Sequence, residues 1–444
     1  MLSVNSRYKY FLNKPISNVT LELFRIAFGL VVFAEGAGAL VLGWVKETFV
    51  DTTFNFTFIG FEFLRALHGP YMYIHYSLIA LTGLGIAFGC LYRFSTVAFT
   101  LLWTTSYLMQ KQHYNNHYYL MILLGFIMAV VPAGKRFSLD CKWGITQKQF
   151  HCPAWSVNSI ILQLAIVYFY AAIAKIYPDW IAGIPLKIWL TGHLLGSWLA
   201  NSYLIQTLAI GGILFDLFVV PALLWKKTRW IAVLASIVFH LFNSIVFQIG
   251  TFPYMMLGSL ILFFPANEIE KRFFQDKHSI PQHLETKYIS SPLFMLLFVY
   301  FLFQIAMPLR HHAFGSEVNW TEEGHRMSWR MMLRTKSGNI YFKCVDPKTQ
   351  ETWYLDPITI GATPRQKNSM AKSPDMIWQF VQYSKKYYQN KGIEPIEMYA
   401  YSTVSLNGRP YQAYTDPKVN LAAVPWNHIG KNEWIVPLVN ENKK

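Results

Sequence analysis

Charge is what this chain has least of. Of its 444 residues only 14% are Asp, Glu, Lys or Arg, against 53% hydrophobic and 17% aromatic, and the mean hydropathy is +0.25. So few solvating groups cannot cover an ordinary water-soluble surface, which excludes a cytosolic globular enzyme and implies a membrane protein. Cysteine is nearly as scarce, with four in the whole chain, and their spacing supplies no redox or metal motif, so no metal is expected. There is no Walker loop, GxGxxG or HExxH, no internal repeat and no low-complexity tract. Acidic residues, 24 against 39 basic ones, leave a net charge of +15.

Apolar runs are what the chain has in abundance. Spans of the membrane are predicted near 20–42, 73–92, 94–110, 117–132, 155–175, 203–225, 229–249, 252–264 and 292–309, since about 20 apolar residues cross the hydrocarbon core. The eighth is short and contains Pro253. The first contains Arg25 and Glu35 and lacks a small-residue cleavage site, so it is read as a helix rather than a leader. With the N-terminus inside, the inner segments carry fifteen Lys and Arg and the outer loops only Lys46, Arg65, Lys111 and Lys187. That asymmetry is what the positive-inside rule expects. The basic excess is thus a topology signal and an attraction to anionic lipid, and no nucleic-acid partner is needed to explain it.

The fold class expected is an α-helical polytopic membrane protein of about nine spans, residues 1–309, followed by an α+β extramembrane domain, residues 310–444. In the latter, IYFKCVDPKTQETWYL reads as a hairpin around Asp346-Pro347, and MYAYSTVSLNGRPYQAY as a second with Asn407-Gly408 at its turn. Ser373-Pro374-Asp375 opens a helix running to Gly392. Only Cys344 would lie outside, so no disulfide is expected there.

Polar residues within or at the ends of the spans are the functional candidates, because a stranded charge in lipid costs a few kcal/mol. Asn115, Asn116 and His117 open the fourth span, Lys175 closes the fifth, Asp216 lies in the sixth, and His240 and Asn243 in the seventh. Each also has a structural reading. Lys175 can snorkel to the interface beside Asp179, His117 can belong to an interfacial loop, His240 can bond a neighbouring helix, and Asp216, just after Gly211-Gly212, can serve packing. The topology brings Asn116, His117 and Lys175 to the outer side, with His240 near or beyond mid-membrane. A lysine kept dry loses the hydration that favours its charged form and can act as a general base. Asn116 and His117 can donate hydrogen bonds to an oxyanion. Phe252, Met256, Met331 and Met332 form an aromatic and methionine-rich set suited to a flat ring with a hydrocarbon tail, or to plain packing.

Six blocks, in order, carry a resemblance: YNNHYYL, VYFYAAIAKIYPDW, GGILFDLFVVPALLW, FHLFNSIVFQIGTFPYMML, NWTEEGHRMSWRMMLR and DPKVNLAAVPWNHIGKNEWIVPL. Together, from about residue 110 to 438, they resemble the vitamin K-dependent gamma-glutamyl carboxylases. The resemblance implies a coupled reaction. Vitamin K hydroquinone is deprotonated and oxygenated, the resulting strong base removes a γ-proton from a peptide glutamate, the carbanion takes CO2, and the quinone leaves as its epoxide. It implies Lys175 as the hydroquinone base, His117 and Asn116 as stabilisers of the oxygenated intermediate, and His240 as a further catalytic histidine. Phe252, Met256, Met331 and Met332 fall on quinone-contacting positions, and Trp329, His325 and Arg334 in the glutamate-receiving segment.

Departures from the family pattern fall in that last segment. Animal carboxylases have a tyrosine where this chain has His325 and a histidine where it has Arg334, which can still clamp a carboxylate. The chain ends soon after WIVPL, so part of the propeptide-holding apparatus is expected to be missing or different. The partners implied are a glutamate-containing protein or peptide, membrane lipid, and a quinone reductase that regenerates reduced vitamin K. The expected location is a bacterial inner membrane in preference to the endoplasmic reticulum, with the N-terminus cytoplasmic and the C-terminal domain periplasmic. Two other readings stay open: a quinone- or lipid-binding relative with epoxidase but no carboxylase activity, and a small-molecule transporter.

Overall fold

The structure, a computed structural model, describes residues 12–191, 201–274 and 289–439. Among these, α1 (Val19–Val41), α2 (Tyr71–Phe88), α3 (Tyr92–Met109), α4 (Asn116–Val130), α5 (Ala154–Lys175), α6 (Ser202–Leu224), α7 (Arg229–Phe247), α8 (Phe252–Ser259), α9 (Ala266–Phe273) and α10 (Ser291–Ala306) build the membrane part. Each of the nine predicted segments is helical, but six helices are long and apolar enough to cross a membrane: α1, α2, α5, α6, α7 and α10 with its 3-10 continuation to Phe314. A seventh crossing results if α8, its 3-10 extension to Phe263 and α9 are taken as one span, broken by a 93° bend. The α4 helix is apolar but only 15 residues long, about 22 Å, and α3 is not among the six. Among the described residues six spans are therefore clear candidates by length and composition, and nine crossings are not confirmed. Basic residues Arg7, Lys9, Lys277 and Lys287, used in the charge count, lie outside the described residues.

Small residues set the helix packing where no water can drive it. A Cβ on Gly29 of α1 would lie 2.3 Å from the Ala87 nitrogen, and one on Gly83 of α2 would lie 2.4 Å from the Phe33 nitrogen. The two backbones meet directly. The outward faces of α6 and α10, where Leu214, Phe218, Phe294, Phe298 and Leu302 are exposed, are apolar enough to face lipid. At the end of α1 remote from the C-terminal domain, strand β1 (Pro15–Ser17) pairs antiparallel with β2 (His151–Pro153). There buried Glu22 accepts from the Lys135 and Arg136 amides and pairs with Arg25 at 3.3 Å, while Arg136 pairs with Glu270 at 2.9 Å. Internal pairing of this kind explains how Arg25 is accommodated in an otherwise apolar helix.

The C-terminal domain is a four-stranded antiparallel sheet of order β4-β3-β5-β6: β3 (Lys336–Val345), β4 (Thr352–Leu355), β5 (Glu397–Leu406) and β6 (Gln412–Ala413). Both predicted hairpins form, and Asn407 and Gly408 take the positive φ that a tight turn demands. Alternation along β3 sends Ile340, Phe342 and Cys344 inward against helix α11 (Pro374–Gln389) and leaves Tyr341 outward. The two parts interlock. Phe54 and Phe56, from the α1–α2 connection, enter the core of the C-terminal domain, with Phe54 stacked on Tyr383 at 4.4 Å. Gln366 donates to the Phe54 carbonyl at 2.8 Å, while Trp329 is packed into the membrane core.

Candidate active site

Where the helical part meets the C-terminal domain lies a cavity of about 940 Å³. Its membrane end is made by α4, α5, α6, α7 and the start of α8. Asn115 caps α4 by accepting from the Tyr118 amide at 2.7 Å, which fixes the two residues that follow it. Asn116 then accepts from the Tyr114 hydroxyl at 2.8 Å and donates to the Arg330 carbonyl at 3.3 Å. Beside it the His117 ring packs on Phe252 at 5.6 Å, and Phe252 in turn lies 6.1 Å from the ring of His240. One phenyl ring thus separates the two imidazoles. His240 is 1% exposed and its Nε2 bonds the Tyr168 hydroxyl at 2.9 Å, while its Nδ1 has no partner among the described residues.

Lys175, at the last turn of α5, lines the same cavity. Its Nζ donates to Asp216 of α6 and sits 5.7 Å from the Trp180 ring centre, with both ion-pair partners buried. Asp216 is a partner that the sequence does not connect with Lys175. It is 41 positions away on another helix. Just past Lys175 the chain is tied to the C-terminal domain: the Tyr177 hydroxyl donates to the Leu333 carbonyl, and Asp179 takes both Arg409 guanidinium nitrogens, at 2.7 and 2.8 Å, and Asn407 at 2.6 Å.

The outer end is built by residues 322–336. Four non-glycine residues here, Glu322, Met327, Trp329 and Met332, have φ between 47° and 65°. Such conformations cost of order 1 kcal/mol each and persist only where the surroundings impose them. Glu322 accepts from Arg334 through both Nε, at 3.2 Å, and Nη2, and from Lys336 at 3.1 Å. Burial alone would raise its carboxyl, but the Arg334 and Lys336 charges hold it well below the usual carboxylate range. Burial and the Arg334 charge push His325 well below its ordinary value, so this imidazole is neutral. Burial lowers Lys336 to about 8 in spite of Glu322.

Of the predicted site residues, Lys175, His117, Asn116, His240, Phe252, Met331, Met332, His325 and Arg334 all line this cavity. Met256 and Trp329 are not part of its lining. Met256, one helical turn beyond Phe252, is 1% exposed within the membrane core, and Trp329 is equally buried, its ring 5.2 Å from Tyr119. Among the described residues no group of three or more His, Cys, Asp or Glu could hold a metal ion.

No solved structure matches the chain. The HTTM domain model matches residues 13–267, more than half of the chain, and the model for the vitamin K-dependent gamma-carboxylase lumenal domain matches residues 289–441. The first match takes in the helices that carry Lys175, Asp216, His117 and His240, and the second takes in the segment from Glu322 to Lys336. The chain belongs to the vitamin K-dependent gamma-carboxylase family.

Proposed function

We propose that the chain is a vitamin K-dependent gamma-glutamyl carboxylase, coupling epoxidation of reduced vitamin K by O2 to the addition of CO2 to a peptide glutamate. The observation that carries this reading is one cavity lined by Lys175, Asp216 and two histidines at its membrane end and by a charged strip at its outer end. Its size and its largely aromatic and aliphatic walls suit a naphthoquinone ring, and the unpartnered Nδ1 of His240 offers a hydrogen bond to a ring oxygen. When bound, reduced vitamin K supplies the electrons for oxygenation and hence the strong base. With the proton they share lodged on Asp216, the neutral Lys175 Nζ takes the ring hydroxyl proton, and Asp216 orients that nitrogen. His117 and Asn116 donate toward the oxygen that becomes anionic. The methionines 331 and 332 flank the ring, and residues 325–334 receive the glutamate side chain.

The accompanying topology has nine crossings of the membrane, the N-terminus in the cytoplasm and the C-terminal domain in the periplasm of a bacterial inner membrane. Quinone then enters sideways from lipid, recharged by a separate quinone reductase, and peptide arrives from outside. Purified protein given reduced vitamin K, a glutamate peptide and labelled CO2 is expected to yield epoxide and labelled peptide together. Lys175→Ala abolishes both, while Lys187→Ala, a change at an exposed residue outside the cavity, leaves both within twofold. Epoxide without labelled peptide would refute the carboxylase half and leave an epoxidase. No epoxide at all would refute the whole.

A further inference from the structure

The charged lining of the cavity does not balance. Besides the Lys175–Asp216 pair it contains Arg330, Arg334, Lys336 and Lys372 against one carboxylate, Glu322. Arg334 is already used, since its fork closes on both Glu322 oxygens. Lys336 is used as well: besides Glu322 it donates to the Trp320 and Lys372 carbonyls, at 2.7 and 3.0 Å, and to the Tyr414 hydroxyl at 3.0 Å. Arg330 is different. Its one side-chain hydrogen bond is Nη2 to Asn319 at 3.2 Å, its Nε is buried without a partner, and no carboxylate lies within ion-pair reach among the described residues. Among the described residues the Lys372 ammonium reaches only the Lys336 carbonyl, at 3.4 Å.

A guanidinium has five N–H donors in a planar fork, and leaving most of them unmade in a part-buried site is costly. A carboxylate accepting two of them removes that cost. Position adds a second argument. The Arg330 backbone carbonyl is the acceptor for Asn116, so this residue stands where the outer strip meets the membrane-end groups. We infer that Arg330 receives the carboxylate of the substrate side chain, with Lys372 as the second free cation of the cavity, and that Arg334 is held by Glu322 for an internal structural role. The inference rests on the proposed carboxylase reading and deepens it. Carboxylation turns one carboxylate into two on the same carbon, and a lining with three surplus positive charges accommodates the added one.

The test is peptide binding to the full chain in lipid nanodiscs, without reduced quinone, so that turnover plays no part. Isothermal titration compares a short peptide containing one glutamate with the same peptide carrying glutamine. Charge-assisted hydrogen bonds of this type are expected to favour glutamate by about 10-fold to 100-fold. Arg330→Ala should reduce that preference to within about twofold, Arg330→Lys should restore part of it, and Lys372→Met should weaken it in the same direction. Arg365→Ala, on the exposed Glu47 pair, should leave it intact. A glutamate preference that survives Arg330→Ala, or wild-type protein that binds both peptides alike, overturns the assignment. Failure of the parent reading looks different: it is wild-type protein that incorporates no labelled CO2, whereas failure of this inference alone is Arg330→Ala protein that incorporates it at an unchanged KM for peptide.

Discussion

Asp375, at the start of α11, offers the sharpest quantitative test of how the two parts are joined. Its carboxylate takes both η nitrogens of Arg326 and the Lys111 ammonium at 2.7 Å. Lys111 lies in the connection leading to Asn116 and His117, and Arg326 lies in the strained outer strip, so three chain segments meet on one carboxylate. Burial would raise the Asp375 carboxyl, but Arg326 and then Lys111 outweigh it and hold it at about 2, against an ordinary 3.8. That lowering makes the ionised form worth about 2.5 kcal/mol to the folded state. Asp375→Asn also leaves two cations buried side by side, and breaking a buried pair from one side costs about 3–5 kcal/mol. The expected loss is therefore about 3 kcal/mol or more.

The pH dependence has a definite sign. Because the native carboxyl ionises more readily than the unfolded one, its contribution is complete above about pH 4 and disappears as the pH falls toward 2. Thermal unfolding in detergent micelles, followed by tryptophan fluorescence, should show a large gap between wild type and Asp375→Asn at pH 7. That gap should narrow between pH 4 and 2. A variant melting within a degree of wild type at neutral pH, or a gap indifferent to acid, would refute the reasoning.

Two further outcomes follow from local geometry. Asp216→Asn, which removes the carboxylate held by Lys175, should lower epoxide formation at least about 100-fold, the scale of a lost acid–base group; a rate within threefold of wild type would show that Lys175 works without it. Gly83→Ala forces a methyl onto the Phe33 backbone and should cut the yield of folded protein through an overpacking cost of about 1–3 kcal/mol or more, whereas Gly211→Ala, with nothing within 4 Å of the added carbon, should purify normally.

The helices and hairpins were legible because their signals are local. A run of apolar residues, or Asn407-Gly408 between alternating strands, states its own structure. Predicted and observed ends of α1, α4, α5 and α6 agree within about two residues. The span count was less legible, since α3 is less apolar, α4 is short, and α8 and α9 meet at a bend that hydropathy does not register. Partnerships across the fold were not legible. Nothing near Lys175 announces Asp216, and nothing near Lys111 announces Asp375, 264 residues later. Met256 and Trp329 show a related gap: membership of a motif says nothing about whether a side chain ends in a cavity or in the core.

The two departures in the outer strip make sense as one unit once their partner is visible. Arg334 brings a charge, Glu322 answers it, and His325 touches both, with Nδ1 3.3 Å from an Arg334 nitrogen and Nε2 3.9 Å from a Glu322 oxygen. Since burial and Arg334 keep that imidazole neutral, its Nδ1 accepts from Arg334 and its proton rests on Nε2, turned toward Glu322. The histidine is therefore a hydrogen-bonding spacer rather than a cation for substrate. An arginine that reads as a carboxylate clamp in the sequence is thus satisfied within the protein, and among the described residues the guanidinium of this strip with no carboxylate partner is that of Arg330, four residues earlier. Converting Arg334 alone to histidine would remove the two-pronged partner of Glu322 and leave it paired with Lys336. Glu322 and Arg334 are thus coupled, and a change at either one alters the surroundings of His325 and Lys336 as well.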